Sequence, residues 1–162
     1  FNNTFGEVFP EPEPRLTRGA RIMSLLSPEN KMSKSDTEKS YITLDEEPES
    51  IKAKLKKAVT DAGTSGELGP GAKNLLTIME VVDPVAAEQF TIDAEAGEIR
   101  YSDLKMHLAD KLGEYLAPFR ERRRELAAKP DNVWELLLDG TQQARRIASA
   151  TFREAKDKMG FI

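Results

Sequence analysis

There is no cysteine in the 162 residues, which excludes disulfides, thiolate metal sites and cysteine nucleophiles. Histidine occurs once, at His107, so no imidazole cluster can bind a metal or relay protons. No long apolar run is present, and nothing reads as a transmembrane span or a signal peptide. Positive charge is not in excess: 24 Lys and Arg stand against 28 Asp and Glu, a net charge of −4. Such a chain does not hold nucleic acid through its overall field, so RNA contacts must come from a local basic face. The lack of cysteine is compatible with a reducing compartment, and a cytoplasmic location is expected. The length allows one good-sized domain, or a small domain joined to part of another.

What the chain does have is the stretch Asn30-Lys31-Met32-Ser33-Lys34-Ser35-Asp36. Two ammonium groups three residues apart are compact charges with rotating donors, suited to phosphate oxygens. Ser33 and Ser35 add hydroxyl donors, and Met32 is the one apolar side chain. This is the chemistry of a mobile loop that places positive charge on a polyphosphate. By composition alone the better reading is an exposed, solvated turn, and only the order of the residues favours the phosphate loop.

Around this loop the pattern is mostly helical. Residues 1–18, with Pro10, Pro12 and Pro14, read as extended loop. Ala20 to Leu26 is a short apolar run ended by Ser27-Pro28, as a buried strand or strand–turn would be. Pro48 sits where a first helical residue should. The acidic run from Asp45 to Glu49 then faces the positive end of a helix dipole and is no metal site. In that helix Ile51, Leu55, Ala58 and Val59 form an apolar stripe, while Lys52, Lys54, Lys56 and Lys57 read as a solvated face. Residues 60–70 form a Gly/Ser/Thr-rich loop with no phosphate-binding pattern. A helix is expected from about Gly71 to Val82. Asp83-Pro84 caps and starts a short helix to near Phe90, and a loop follows from Thr91 to Arg100. Ser102 can cap a long helix with a bend or break at Pro118. Asp131 can cap the last helix, which Gly160 stops. Along that helix Trp134 and Phe152 read as core residues. His107 reads as a partly buried helix residue and not a catalyst. The whole from residue 48 onward is a helical bundle with short connections.

A second charged feature is the cluster Arg120, Arg122, Arg123 and Arg124 at the end of the long helix. Arg145, Arg146, Arg153, Lys156 and Lys158 follow on the last one. These cations can complement helix dipoles and pair with Glu121, Glu125, Glu154 and Asp157, or they can touch RNA phosphates; the sequence leaves both open.

The order Lys31-Met32-Ser33-Lys34-Ser35 resembles the second signature of the class I aminoacyl-tRNA synthetases. Its flanks are similar to bacterial-type tryptophanyl-tRNA synthetases: Gly19-Ala20-Arg21-Ile22-Met23-Ser24-Leu25, then Tyr41-Ile42-Thr43-Leu44 and Lys56-Lys57-Ala58-Val59-Thr60-Asp61. Phe1-Asn2-Asn3, Phe5-Gly6-Glu7 and Phe9 fit as well, as do Gly71 and Asn74-Leu75-Leu76. The likeness spans the chain, specific in the first half and a matter of helix pattern after Asp83.

It implies ATP-dependent activation of tryptophan to the adenylate and its transfer to tRNA(Trp). Lys31 and Lys34 would be catalytic. ATP would be bound by Ile22, Lys31, Met32, Ser33, Lys34 and Ser35, with backbone near Ile22 against the adenine. Magnesium would arrive on the ATP phosphates, with no dedicated protein metal site. The C-terminal helices would bind tRNA, and the full-length enzyme would be a homodimer. The first signature of the class and the amino-acid pocket are absent, so the chain reads as a C-terminal half that is inactive alone. Residues 1–47 would be the end of an α/β nucleotide-binding, Rossmann-like domain, and 48–162 a helical tRNA-binding domain, mainly α in all. Two rivals stand beside this: the corresponding half of a tyrosyl-tRNA synthetase, and a non-catalytic helical RNA-binding module. Ala58-Val59-Thr60-Asp61 and the Gly19–Leu25 run favour tryptophan over tyrosine.

Overall fold

Among the described residues four helices begin on a proline, and this local rule sets much of the architecture. In a computed structural model, which describes residues 1–17, 19–60 and 68–161, the helices are α1 (Asn2–Phe5), α2 (Pro48–Lys57), α3 (Pro70–Val82), α4 (Pro84–Glu95), α5 (Tyr101–Ala127) and α6 (Pro130–Met159). A 3₁₀ turn covers Glu38–Ser40. Pro48, Pro70, Pro84 and Pro130 occupy first helical positions, where the missing N–H costs nothing and the fixed φ is already helical. The expected loop at 60–70 falls largely outside the described residues, since 61–67 are not among them.

The protein is mainly helical, and among the described residues there is no strand. The strand expected over Ala20–Leu26 is reduced to an isolated antiparallel bridge between Met23 and Lys31. Ser27-Pro28 turns the chain after too few residues for a ladder. The extended reading of residues 1–18 is interrupted by the short turn α1.

Helix α4 runs to Glu95, past the expected end at Phe90, because nothing after Phe90 breaks it. The Thr91 hydroxyl satisfies itself on the Ala87 carbonyl at 2.8 Å, and Gln89 bonds Asp93 one turn on at 2.8 Å. Two expected caps are displaced. Ser102 lies inside α5, where the Asp103 and Leu104 N–H groups bond the Arg100 carbonyl, and Asp131 lies in the first turn of α6 behind Lys129. There its charge still complements the dipole. Pro118 sits within α5 and does not break it. Asp83 and Gly160 cap as expected: Asp83 Oδ1 accepts from the Ala86 N–H at 3.1 Å, and Gly160 takes φ +78°.

The chain divides into two compact units, one of Leu16–Arg123 and one of Phe1–Arg15 with Arg124–Ile162. The first contains the core. Ile51 and Leu55 of α2, Leu75 and Met79 of α3, and Leu104 and Leu108 of α5 are fully buried together with Leu25. Each such side chain contributes roughly 1.5–3 kcal/mol of burial. Spacings of four along each helix put these residues on one face. Lys105 reaches back to cap the carbonyl of Ala58 at 2.8 Å, closing the end of α2, and burial lowers the pKa of its ammonium.

In the second unit the rings of Phe5 and Phe9 each lie 5.1 Å from that of Phe1, and Asn2 ties the Val8 and Phe9 backbone. On α6, Trp134 and Phe152 are 65% and 66% exposed, so they are not the core residues that the amphipathic pattern suggested. The pattern marks which face is apolar and does not say what covers it. Among the described residues no helix is long and apolar enough to cross a membrane.

Candidate functional site

The two signature lysines project from a loop whose root is tied to the core. Ser24 N–H donates to the Asn30 carbonyl at 2.8 Å, and Met32 N–H donates to the Ile22 carbonyl at 3.0 Å. These two bonds flank the Met23–Lys31 bridge. On its other side the segment is held by Leu25, whose N–H donates to Ser40 and whose carbonyl accepts from Val59, at 2.9 and 2.8 Å. The buried Ser24 hydroxyl accepts from Ser27 N–H at 3.2 Å and shapes the turn into the loop.

Beyond Met32 the chain turns within itself. Ser35 N–H donates to the Ser33 hydroxyl at 3.2 Å, Asp36 N–H to the Ser33 carbonyl at 3.3 Å, and Thr37 N–H to Asp36 Oδ1 at 2.8 Å. The site residues fall into two groups. Ile22 and Met32 are half-buried and pack against the core cluster. Lys31, Ser33, Lys34 and Ser35 are exposed. Among the described residues neither lysine makes an ion pair. An apolar cleft of about 260 Å³ lies beside the loop, walled by Ile22, Met32, Ile42, Leu44, Tyr115 and Leu116 among others.

Following the loop in the chain is a buried charged pair that the sequence did not reveal. Lys54, expected on a solvated face, is buried, 2.8 Å from the Glu46 carboxylate and 3.1 Å from the Tyr41 carbonyl. Glu46 is pushed up by burial, but bonds from Lys54, the Ser50 hydroxyl and the Thr43 N–H outweigh this and leave it below the usual glutamate range. Asp45, next along, is held below the usual aspartate range by its bond with Thr43 and its own backbone, with help from the charges of Arg123 and Lys34. The charge of Lys34 is thus felt at Asp45.

The arginine cluster is split. Arg120, a candidate for RNA, is buried: Nη1 donates to the Glu46 carbonyl at 3.1 Å and Nη2 to the Gly113 carbonyl at 2.7 Å. Its periodic position on α5 faces the core, which a simple run of basic residues conceals. Arg122, Arg123 and Arg124 are exposed, and Arg123 pairs with Asp45 at 3.0 Å. His107, half-buried as expected, has Nε2 2.9 Å from Asp83 Oδ2. Among the described residues no group of three His, Cys, Asp or Glu is close enough to hold a metal ion. Asn74, singled out in the sequence only for its likeness, has a contact that the sequence did not show: its buried side chain bonds the Met23 backbone at the root of the loop.

Residues 1–117 match the family described as tRNA synthetases class I (W and Y). Over 172 residues the chain is 36% identical to tryptophan–tRNA ligase 2 of Streptomyces avermitilis, covering 100% of this chain and 49% of the relative. Against the tryptophan–tRNA ligase of Bacillus anthracis it is 39% identical over 166 residues, covering 99% and 50%. The chain thus spans about half the length of the curated relatives it matches. Among solved structures, tryptophanyl-tRNA synthetase from Mycoplasma pneumoniae superposes with a TM-score of 0.70 at 29% identity, over 88% of this chain and 44% of that one. The Campylobacter jejuni enzyme complexed with ADP and tryptophan gives a TM-score of 0.64 at 27% identity, over 98% and 50%.

Proposed function

The chain belongs to the class I tRNA synthetases of the tryptophan and tyrosine group, and from that premise we propose that it is the C-terminal half of a tryptophan–tRNA ligase. Residues 1–47 are then the end of the α/β catalytic domain, and 48–162 the helical domain that meets tRNA(Trp). In the full-length enzyme, a cytoplasmic homodimer, the tryptophan carboxylate attacks the α-phosphate of ATP. A new carboxylate–phosphorus bond forms, the bridging bond to the β-phosphate breaks, and pyrophosphate leaves with the electron pair. The adenylate is the substrate for transfer to tRNA.

The observation that carries this reading is the division of the loop into a fixed root and two exposed lysines that make no ion pair among the described residues. Negative charge grows on the leaving phosphates as the bond breaks. Cations placed by Lys31 and Lys34 therefore stabilise the transition state more than bound ATP. Ser33 and Ser35 supply further donors to the same oxygens. Met32, packed on the core, anchors the loop while its tip folds over the nucleotide and excludes water. Backbone near Ile22 lies against the adenine. Lysines and serines suit phosphate oxygens and do not make a carboxylate cage, so magnesium enters on the ATP and the chain holds it only through the phosphates. Arg122, Arg123 and Arg124, each exposed, are the cations offered to RNA, while Arg120 is held inside by carbonyls.

The test is amino-acid-dependent ATP–pyrophosphate exchange by the full-length chain. Tryptophan should support exchange and tyrosine should not, and residues 1–162 alone should support none. Exchange driven by tyrosine, or binding of RNA with indifference to ATP, would replace this reading.

A further inference from the structure

Asn74 is 4% exposed on α3 and makes two hydrogen bonds to one distant residue. Met23 N–H donates to Asn74 Oδ1 at 2.9 Å, and Asn74 Nδ2 donates to the Met23 carbonyl at 2.8 Å. The backbone explains why these two groups need a partner. Met23 faces Lys31 across an antiparallel bridge whose hydrogen bonds lie to either side, at Ser24–Asn30 and Met32–Ile22. In such a pair each residue's own N–H and C=O point away from the partner, to where the next strand would lie. No strand of the described residues lies there. A side-chain amide carries a donor and an acceptor in one plane, as a peptide group does, and Asn74 stands in for the absent strand.

We propose that Asn74 is a positioning residue for the signature loop, holding the Met23 backbone and, across the bridge, the root from which Lys31 and Lys34 reach the leaving phosphates. The proposal rests on the function assigned to that loop above. Asn74 touches no substrate. Its role is to fix the origin of two long, flexible side chains, so that their charges arrive where the phosphates depart. Asn74→Asp keeps the shape and the acceptor but loses the donor, and sets a carboxylate oxygen against the Met23 carbonyl. Asn74→Ala leaves both Met23 groups without their partner.

The experiment compares the full-length chain with Asn74→Asp, Asn74→Ala, Lys34→Ala and Leu76→Ala, the last a buried leucine of the same helix that lowers stability without a hydrogen-bonding role. Both Asn74 variants should lower kcat for tryptophan-dependent exchange by about ten- to a hundredfold, with KM for tryptophan unchanged. Trypsin should cut after Lys31 and Lys34 faster than in the wild type, with other sites unaffected. Leu76→Ala should lower Tm and leave kcat in place. If Asn74→Ala does not fold, Asn74→Asp carries the test, and failure of both to fold would make Asn74 a purely structural residue. Wild-type kcat and cleavage in the Asn74 variants, with Lys34→Ala inactive, would overturn this inference and leave the function standing. So would a kcat loss in Leu76→Ala equal to theirs. Absence of exchange in the wild type, or full activity in Lys34→Ala, would overturn the loop's function and the role of Asn74 with it.

Discussion

Lys54 Nζ lies 2.8 Å from the Glu46 carboxylate, and the two side chains are only 7% and 9% exposed. The ammonium also donates to the Tyr41 carbonyl and stands 5.2 Å from the centroid of the Tyr41 ring. Thr43 and Ser50 fill the remaining acceptor positions on Glu46. A buried pair this well surrounded is costly to break from one side, because the partner is left as an unpaired charge. Lys54→Met should therefore destabilise by about 3–5 kcal/mol in urea unfolding. A cost under about 1 kcal/mol, the ordinary value of an exposed pair, would show that Glu46 finds water instead.

The same pair predicts a pH dependence. Because the folded-state pKa of Glu46 lies below its unfolded value, its contribution is present above the unfolded value and lost as pH falls through the folded one. The stability difference between wild type and Glu46→Gln should be full above about pH 5 and shrink as the pH drops below about 4. Unfolding measured at several pH values checks this. A difference that stays constant down to acid conditions would mean that the carboxylate charge is not what Lys54 uses.

Asp83 has two tasks, capping α4 through the Ala86 N–H and bonding His107 on α5. The His107 bond, followed by the Ala86 N–H, holds its carboxyl below the usual aspartate range against the opposing effect of burial. Asn caps a helix about as well as Asp. Asp83→Asn should therefore lower Tm less than Asp83→Ala, and its deficit against wild type should fade as the pH falls through the aspartate range. Equal melting temperatures for the two variants would show that the cap contributes nothing.

The sequence made some of this legible and concealed the rest for identifiable reasons. Pro48, Pro84 and Gly160 act through local backbone geometry, so their helix starts and stops can be read from the residues alone. Lys54 could not be read this way. Its acceptors at Tyr41 and Glu46 lie before α2, and helical periodicity says nothing about a segment folded back against it. Asn74 is hidden for the same reason, since Met23 is 51 residues away. Trp134 and Phe152 were misread in the other direction, because an apolar stripe carries no information about its cover. The stretch from Lys31 to Ser35 stands out by its residue order, whereas the buried Lys54–Glu46 pair does not.

The split of the arginine cluster divides its mutational effects. Arg120→Met should lower Tm, since the Glu46 and Gly113 carbonyls lose their donor. If the exposed arginines meet tRNA phosphates, replacing Arg122, Arg123 and Arg124 by Gln should instead weaken tRNA binding and flatten its salt dependence, by roughly 0.7–0.9 in log–log slope for each phosphate no longer neutralised. Tryptophan activation without tRNA should be untouched. The exposed Arg123–Asp45 pair adds little to stability and does not oppose this role. An unaltered salt slope in the triple variant would take these arginines out of the RNA interface.

The most direct measurement is steady-state tryptophan-dependent ATP–pyrophosphate exchange by the full-length chain, with Lys31→Ala and Lys34→Ala beside it. If the two lysines act on the departing pyrophosphate, each variant loses roughly 10–200-fold in kcat, the equivalent of one charge-assisted hydrogen bond, while tryptophan binding is preserved. An unchanged kcat with a raised KM for ATP would contradict this, because the lysines would then bind the ground state and the transition state alike.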